Sequence, residues 1–402
     1  MRLSRRSLGL AAAATLVVTA CAPDQDTPGS TNTTGGGGSS ATTVNVAMIT
    51  STTGPLAAYG AAYKAGFEAG WKYVTKDTGK LDGFEVKFTW LDDQGNPDTA
   101  VNQFKDQVGK GANIVAGSAS SGIAAQLAGQ AEQNKTLYIS GPAAADALTG
   151  INKYTFRSGR QTYQDVATAG TMLEDLKGKK IIVFAQDNAF GQGNVAGVKA
   201  VLGAKGATVD QILVAEDATD FTPFATQILN ARPDLVFVAW AGASTAAMWQ
   251  SLTQQGVFDK TTVVTGLGDV SSYQAYGAAS EKLSFLNHYF PGAAGTEQEK
   301  AMTDAVTKAG GTVDLFSPDG FVGAQLVARA ITEGKGDTDA MIAALEGYEF
   351  DSVKGKVTVR KEDHAMLQEM YQAKLVKGAD GKFAPQKVKA VDSATVAPPV
   401  KG

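Results

Sequence analysis

The short run Ser118-Ala119-Ser120-Ser121 follows an apolar segment and opens a stretch with helical periodicity. Free N–H groups and the dipole at such a helix start favour a carboxylate, and serine hydroxyls add donors without bulk. The same residues also serve as ordinary helix caps, and both roles are compatible. Tyr59, Phe190 and Trp240 occupy three further loops of the same kind. There they can wall a cleft and grip the apolar part of a solute, or simply pack. Asp269 has the charge to pair a ligand ammonium, or to cap the turn that it precedes. Other chemistry is poorly provided for. Gly191-Gln192-Gly193 lacks the spacing of a dinucleotide fingerprint. The two histidines, 288 and 364, have no spare cysteine beside them, which argues against a metal site or a metal cofactor. His288 has no elbow serine or cysteine nearby, so no nucleophile–base–acid set points to an enzyme, and His288 is read as structural.

These loops fall where β and α patterns alternate. Strands are expected at residues 44–49, 84–91, 114–116 and 137–140. Helices are expected at 59–74, from Asn96-Pro97 onward, and at 122–134. Asn96-Pro97 supplies a cap and a proline at the first helical position. A second series begins after Tyr154-Thr155-Phe156-Arg157. Its helices are placed at 163–176, 194–205, 222–231 and 244–256. Its strands are placed at 180–185, 208–214, 235–239 and 262–265. The last third reads as helices at 297–310, 318–333 and 338–345, then a hairpin of 356–360 with 370–376. The fold class is therefore α/β, with two Rossmann-like doubly wound lobes and ligand loops beyond the strand carboxyl ends. The last third has too little strand for a sheet of its own, so it is expected to return to the first lobe.

The amino-terminal end reads differently. Residues 1–6 hold three arginines and no acid, and residues 8–20 are apolar or small. That run is too short to span a bilayer and fits a signal peptide. It ends in Val18-Thr19-Ala20-Cys21, which resembles a lipobox, with Cys21 as the lipid attachment site. Ser4-Arg5-Arg6-Ser7-Leu8 partly resembles a twin-arginine signal, so the export route stays open. Residues 22–43 are rich in Gly, Ser, Thr and Pro and read as a flexible tether. The net charge is −4 with dispersed basic residues, which argues against nucleic acid as a partner.

Gly54-Pro55 through Tyr59-Gly60, the Ser118–Ser121 loop, Ser140-Gly141-Pro142-Ala143-Ala144 and Tyr154-Thr155-Phe156-Arg157 share an order and spacing with one family. By these segments the chain resembles the periplasmic-binding-protein receptors of branched-chain amino acid ABC transporters, of the leucine/isoleucine/valine-binding type, over residues 43–388. The resemblance implies a type I binding-protein fold, with three hinge crossovers and a ligand enclosed between the lobes. It implies that Ser120 and Ser121, with backbone at Ala143 and help near Ala145, hold the ligand carboxylate. Tyr59, Phe190 and Trp240 would line the side-chain pocket. Two departures bear on the ligand. Ala145 stands where the family often has threonine, and Asp269 is the only acid near the family's ammonium-binding glutamate. The segment Arg157-Ser158-Gly159-Arg160-Gln161-Thr162-Tyr163 is typical of a branch whose ligand the sequence does not assign.

The expected organisation is a signal peptide at 1–20, a lipid-anchored tether at 21–43, lobe 1 at 44–156 and lobe 2 at 157–286. A return to lobe 1 at 287–390 and a flexible tail at 391–402 follow. The expected function is that of a monomeric lipoprotein receptor on the extracytoplasmic face of the cell membrane. It would close on an amino acid, branched-chain or aromatic, and deliver it to an ABC permease without any cofactor. The alternatives are a receptor for an amide or aromatic acid that acts as a sensor, and a hydrolase.

Overall fold

The computed structural model describes residues 41–401, apart from residue 174. The signal peptide, Cys21 and most of the tether lie outside the described residues. Residues 42 and 43, assigned above to the tether, already belong to the first strand.

The first lobe contains β1 (Thr42–Thr50), α1 (Ala57–Val74), β2 (Phe84–Asp92), α2 (Pro97–Gly109), β3 (Ala112–Gly117), α3 (Ser121–Asn134), β4 (Leu137–Ser140) and β5 (Thr155–Arg157). Its five strands are all parallel, in the order β2-β1-β3-β4-β5. β4 is buried along its whole length, as expected of a strand covered on both faces. The local signals match the residues. Asn96 accepts a bond from the Thr99 amide at 3.0 Å with Pro97 at the first helical position, and Ser120 accepts from the Ile123 amide.

The second lobe contains α4 (Thr162–Gly170), β6 (Lys180–Gln186), α5 (Ala189–Val201), β7 (Thr208–Val214), α6 (Thr222–Ala231), β8 (Leu235–Ala239), α7 (Thr245–Gln254), β9 (Thr262–Gly266) and β10 (Leu283–Asn287). Two helices differ from expectation. α4 ends at Gly170 instead of 176, because Gly170 and Thr171 are weak helix formers and the Thr171 hydroxyl bonds back to the Thr168 carbonyl at 2.6 Å. α5 starts at Ala189 rather than 194, because the Asn188 side chain accepts from the Gly191 amide at 2.9 Å and caps it there.

The last third divides between the lobes. α8 (Glu297–Lys308) and α9 (Ser317–Gly334) pack on α1, and α10 (Thr338–Leu345) packs on α9. The short strands β11 (Glu349–Ser352), β12 (Gly355–Val359) and β13 (Met366–Leu367) form their own antiparallel sheet. β14 (Met370–Lys377) and β15 (Phe383–Val391) instead join the second lobe's sheet, in the order β15-β14-β10-β9-β8-β6-β7. The expected hairpin of 356–360 with 370–376 therefore does not form. A bidentate Arg360–Asp363 pair, at 2.7 Å on each arm, turns the chain so that β12 meets β13. β14 turns at residues 378–381 and pairs with β15. Residues 370–391 thus belong with lobe 2 rather than lobe 1. Nor does the end of the chain hang free as a tail. Val391 and Val396 are buried in the second lobe's core, Arg360 donates to the Pro398 carbonyl, and the Lys401 amide donates to Asp363.

The chain passes between the two large sheets after β5, after β10 and before β14. One buried ion pair meets all three passages. Asp319, in the first turn of α9, is ion-paired with Lys354 and lies 3.5 Å from His288 Nε2. Lys354 Nζ also donates to the Ser158 carbonyl at 3.1 Å and to Gln368 Oε1 at 3.0 Å. Burial works against ionising Asp319, but Lys354 and then His288 outweigh it and hold the carboxyl far below its usual range. Burial also lowers the Lys354 ammonium, and it pushes His288 down to about 4, with Asp319 only partly opposing.

α1 and α9 approach backbone to backbone. A Cβ on Gly320 would lie 2.0 Å from the Tyr63 carbonyl oxygen, and one on Gly66 would lie 1.8 Å from that of Ser317. Gly320→Ala should therefore lower unfolding stability by at least about 1–3 kcal/mol in urea titration; an unchanged midpoint would mean the helices can part freely. The second expectation concerns pH. A histidine near 6.5 in the unfolded chain and about 4 when folded takes up its proton preferentially on unfolding. Its neutral burial is thus fully tolerated above pH 6.5 and costs up to about 3 kcal/mol as pH falls to 4. Asp165, raised to about 6 by burial, acts with the opposite sign below pH 6, so the test is a difference. The stability of His288→Gln relative to the parent should rise between pH 7 and pH 4, and parallel curves would exclude the assignment.

Candidate functional site: the cleft between the lobes

A cavity of about 640 Å³ lies between the strand carboxyl ends of the two sheets. The first lobe contributes the opening of α3, where Ser120 and Ser121 line the wall. Ser121 is 4 % exposed, and its Oγ accepts from the Ala145 amide at 3.2 Å, which leaves its hydroxyl hydrogen for another acceptor. Ser118 is held at φ +71° beside Gly117 at φ +116°, a sharp turn that aims the amides of the next residues. A Cβ on Gly117 would lie 2.2 Å from the Ile49 carbonyl oxygen, so glycine is required there.

The aromatic walls come from both lobes. Tyr59 meets Phe316 edge-on at 4.7 Å, and burial with nearby Asp269 pushes its phenol well above the ordinary range. Trp240 packs on Phe184 and Phe221 and donates from Nε1 to Ser244 Oγ at 3.0 Å. Phe190 lies in the first turn of α5, whose Asn194 side chain donates to the Phe190 carbonyl. Tyr59, Phe190 and Trp240 all line the cavity. Gln186 orients the second wall by accepting from the Ala241 amide at 3.0 Å. At the mouth the lobes meet through backbone. The Gly242 amide donates to the Tyr59 hydroxyl at 3.4 Å, and a Cβ on Gly242 would lie 2.8 Å from the Pro55 carbonyl oxygen.

Three expected residues stand off the wall. Ala143 and Ala145 lie behind it, and their carbonyls accept from the Arg157 guanidinium at 2.8 and 3.3 Å; Ala144 faces the cavity instead. Asp269 does not line the cavity. It caps the short turn at 270–274, accepting from the Ser272 amide at 3.0 Å and from the Ser271 hydroxyl. Arg160, Asp165, Tyr276, Asn287 and Phe316 line the cavity and were not singled out as site residues. Most of them lie on the lobe-crossing segments or just inside elements, where the strand-end rule does not look. The double arginine of Arg157-Ser158-Gly159-Arg160 was the visible signal. Among the described residues no helix is long and apolar enough to cross a membrane, and no cluster of three or more metal-type side chains forms.

Residues 43–382 match the family model described as periplasmic binding protein, and the chain belongs to that family. It is similar to the Leu/Ile/Val-binding protein BraC3 of Rhizobium johnstonii, 26 % identical over 78 % of this chain and 87 % of the relative. A crystal structure of an ABC-type branched-chain amino acid transporter protein from Rhodopseudomonas palustris superposes with a TM-score of 0.75. It is 31 % identical and covers 89 % of this chain and 99 % of that one. A solute-binding protein of an R. palustris ABC transporter in complex with 4-hydroxybenzoate shares the fold. Its TM-score is 0.80 at 21 % identity, covering 87 % of this chain and 97 % of the other. The chain is a solute-binding protein of an ABC transporter.

Proposed function

From that membership we propose that the solute is a small carboxylate with an apolar body, enclosed between the lobes and passed to an ABC permease. The observation that carries this reading is the pairing of two unlike walls around one cavity. The α3 opening, with Ser120 and Ser121, offers amides and a hydroxyl for an anion. Tyr59, Phe190 and Trp240 offer ring surface for a body of limited size. Hinge closure gains contacts with both walls at once, and that difference in contact favours the closed state. A branched-chain amino acid fits the names of the relatives, and the ring walls would accept an aromatic amino acid as well. A second reading, an aromatic acid without an ammonium group, is favoured by Asp269, whose carboxylate is engaged in its own turn. Action in sensing and turnover of the solute by hydrolysis are the competing functions, and among the described residues neither has a dedicated constellation in its support.

Thermal melting with L-leucine, L-phenylalanine, benzoate, 4-hydroxybenzoate and acetamide tests the class. A solute at 100 times its Kd should add about 2.7 kcal/mol of stability, a shift of a few degrees. A rise with acetamide alone, or with none of the five, would defeat the carboxylate reading.

Exposure on the extracytoplasmic face, and anchoring of a monomer there through lipid on Cys21, complete the proposal. Acyl chains contribute about 0.8 kcal/mol per buried CH2, so two or three chains suffice for stable attachment. Cys21→Ala should move the protein from the membrane fraction to the soluble fraction and leave solute binding unchanged. Persistence of the variant on membranes washed with salt would rule the anchor out.

A further inference from the structure

We propose that Arg160 contacts the solute and sets its specificity. On this proposal its guanidinium takes the solute's acidic group jointly with the opening turn of α3, and Asp165 is the internal counter-ion that holds it ready. The inference rests on the small-carboxylate reading above and deepens it.

Arg160 lies on the first passage between the lobes, and only 11 % of its side chain is exposed. Its position is fixed from behind. Nη1 donates to the Pro142 carbonyl at 3.1 Å, Nε lies 3.3 Å from Asp165 Oδ2, and the guanidinium stands 5.6 Å from the Phe316 ring centre. Its donors are nevertheless underused. The buried Nε–H makes no hydrogen bond of good geometry, and among the described residues no hydrogen bond occupies Nη2. Arg157, three residues earlier, shows the contrast. It is 2 % exposed and donates to five oxygens, those of Ala143, Ala145, Gly159, Arg160 and Thr149. Arg157 thus already ties this segment together, while Arg160 lines the cavity with donors that have no partner among the described residues.

A largely buried guanidinium with a free arm matches a planar carboxylate in geometry as well as charge. The 142–145 loop joins the two anion-attracting groups. Arg160 is bonded to its first residue and Ser121 to its last. Asp165 is buried, with burial raising its carboxyl to about 6 and Arg160 only partly opposing. That pair is not a saturated salt bridge. A second anion at Arg160 pushes Asp165 further toward its neutral acid, so the cleft accepts an anion without gathering two unpaired charges.

Calorimetric titration of the purified protein with benzoate, 4-hydroxybenzoate, L-leucine, L-phenylalanine and benzamide tests this. Arg160→Gln should weaken the carboxylate that the parent binds by about tenfold or more, and should erase the preference for benzoate over benzamide. Asp165→Asn frees the guanidinium and should tighten carboxylates by about threefold or more. It is neutral and nearly isosteric, so it decides the matter alone if Arg160→Gln fails to fold. Unchanged carboxylate binding in Arg160→Gln, equal weakening of acid and amide, or no tightening in Asp165→Asn would overturn the role of Arg160 while leaving the carboxylate reading in place. A parent protein that binds none of the four carboxylates would overturn both.

Discussion

The Asp319–Lys354 pair is the contact on which the arrangement of the two lobes turns. Both side chains are fully buried. An ion pair that deep gains little over a well-packed apolar pair, because removing two charges from water offsets most of their attraction. Its value lies in position. Lys354 reaches the Ser158 carbonyl and Gln368, and Asp319 faces His288, so a single cluster touches every segment that joins the lobes. Loss of either charge strands the other away from solvent, which makes the cluster all-or-nothing. The three crossings are thereby tied together at one point.

Around that point the first lobe is built by close approach of main chains. Gly66 and Gly320 let α1 and α9 touch, which brings the start of α9, and with it Asp319, over the crossings. Phe316 and Leu315, just before α9, then reach Tyr59 in a small apolar cluster that also takes in Ala241 from the second lobe. Cleft wall and hinge are thus one continuous structure, and the Tyr59 ring that lines the cavity rests on the segment that carries the buried charge.

Much of this was legible in the sequence wherever the signal is local. Asn96-Pro97 marked a helix start, strand runs such as residues 235–239 marked a covered sheet, and the strand-end rule found Ser120, Ser121, Tyr59, Phe190 and Trp240. What was missed depends on distant partners. Whether Asp269 faces a ligand or its own turn is decided by a few backbone angles. Arg160 and Phe316 come from lobe-crossing segments, which no strand end announces. The pairing of β14 with β15 rather than with residues 356–360 was set by the Arg360–Asp363 turn and by the second sheet's open edge at β10. Periodicity finds a strand but does not choose its neighbour.

Gly242 gives the cleft a contact between its lips that is independent of the chemistry of its walls. Its φ of +83° and the Pro55 carbonyl oxygen 2.8 Å from where a Cβ would stand mean that the lips meet main chain to main chain. The gap between the lips at this point is the thickness of two backbones. Side chains in the walls can therefore change without altering this contact between the lips. Any side chain larger than hydrogen at this position would act as a wedge against the Pro55 main chain and part the lips.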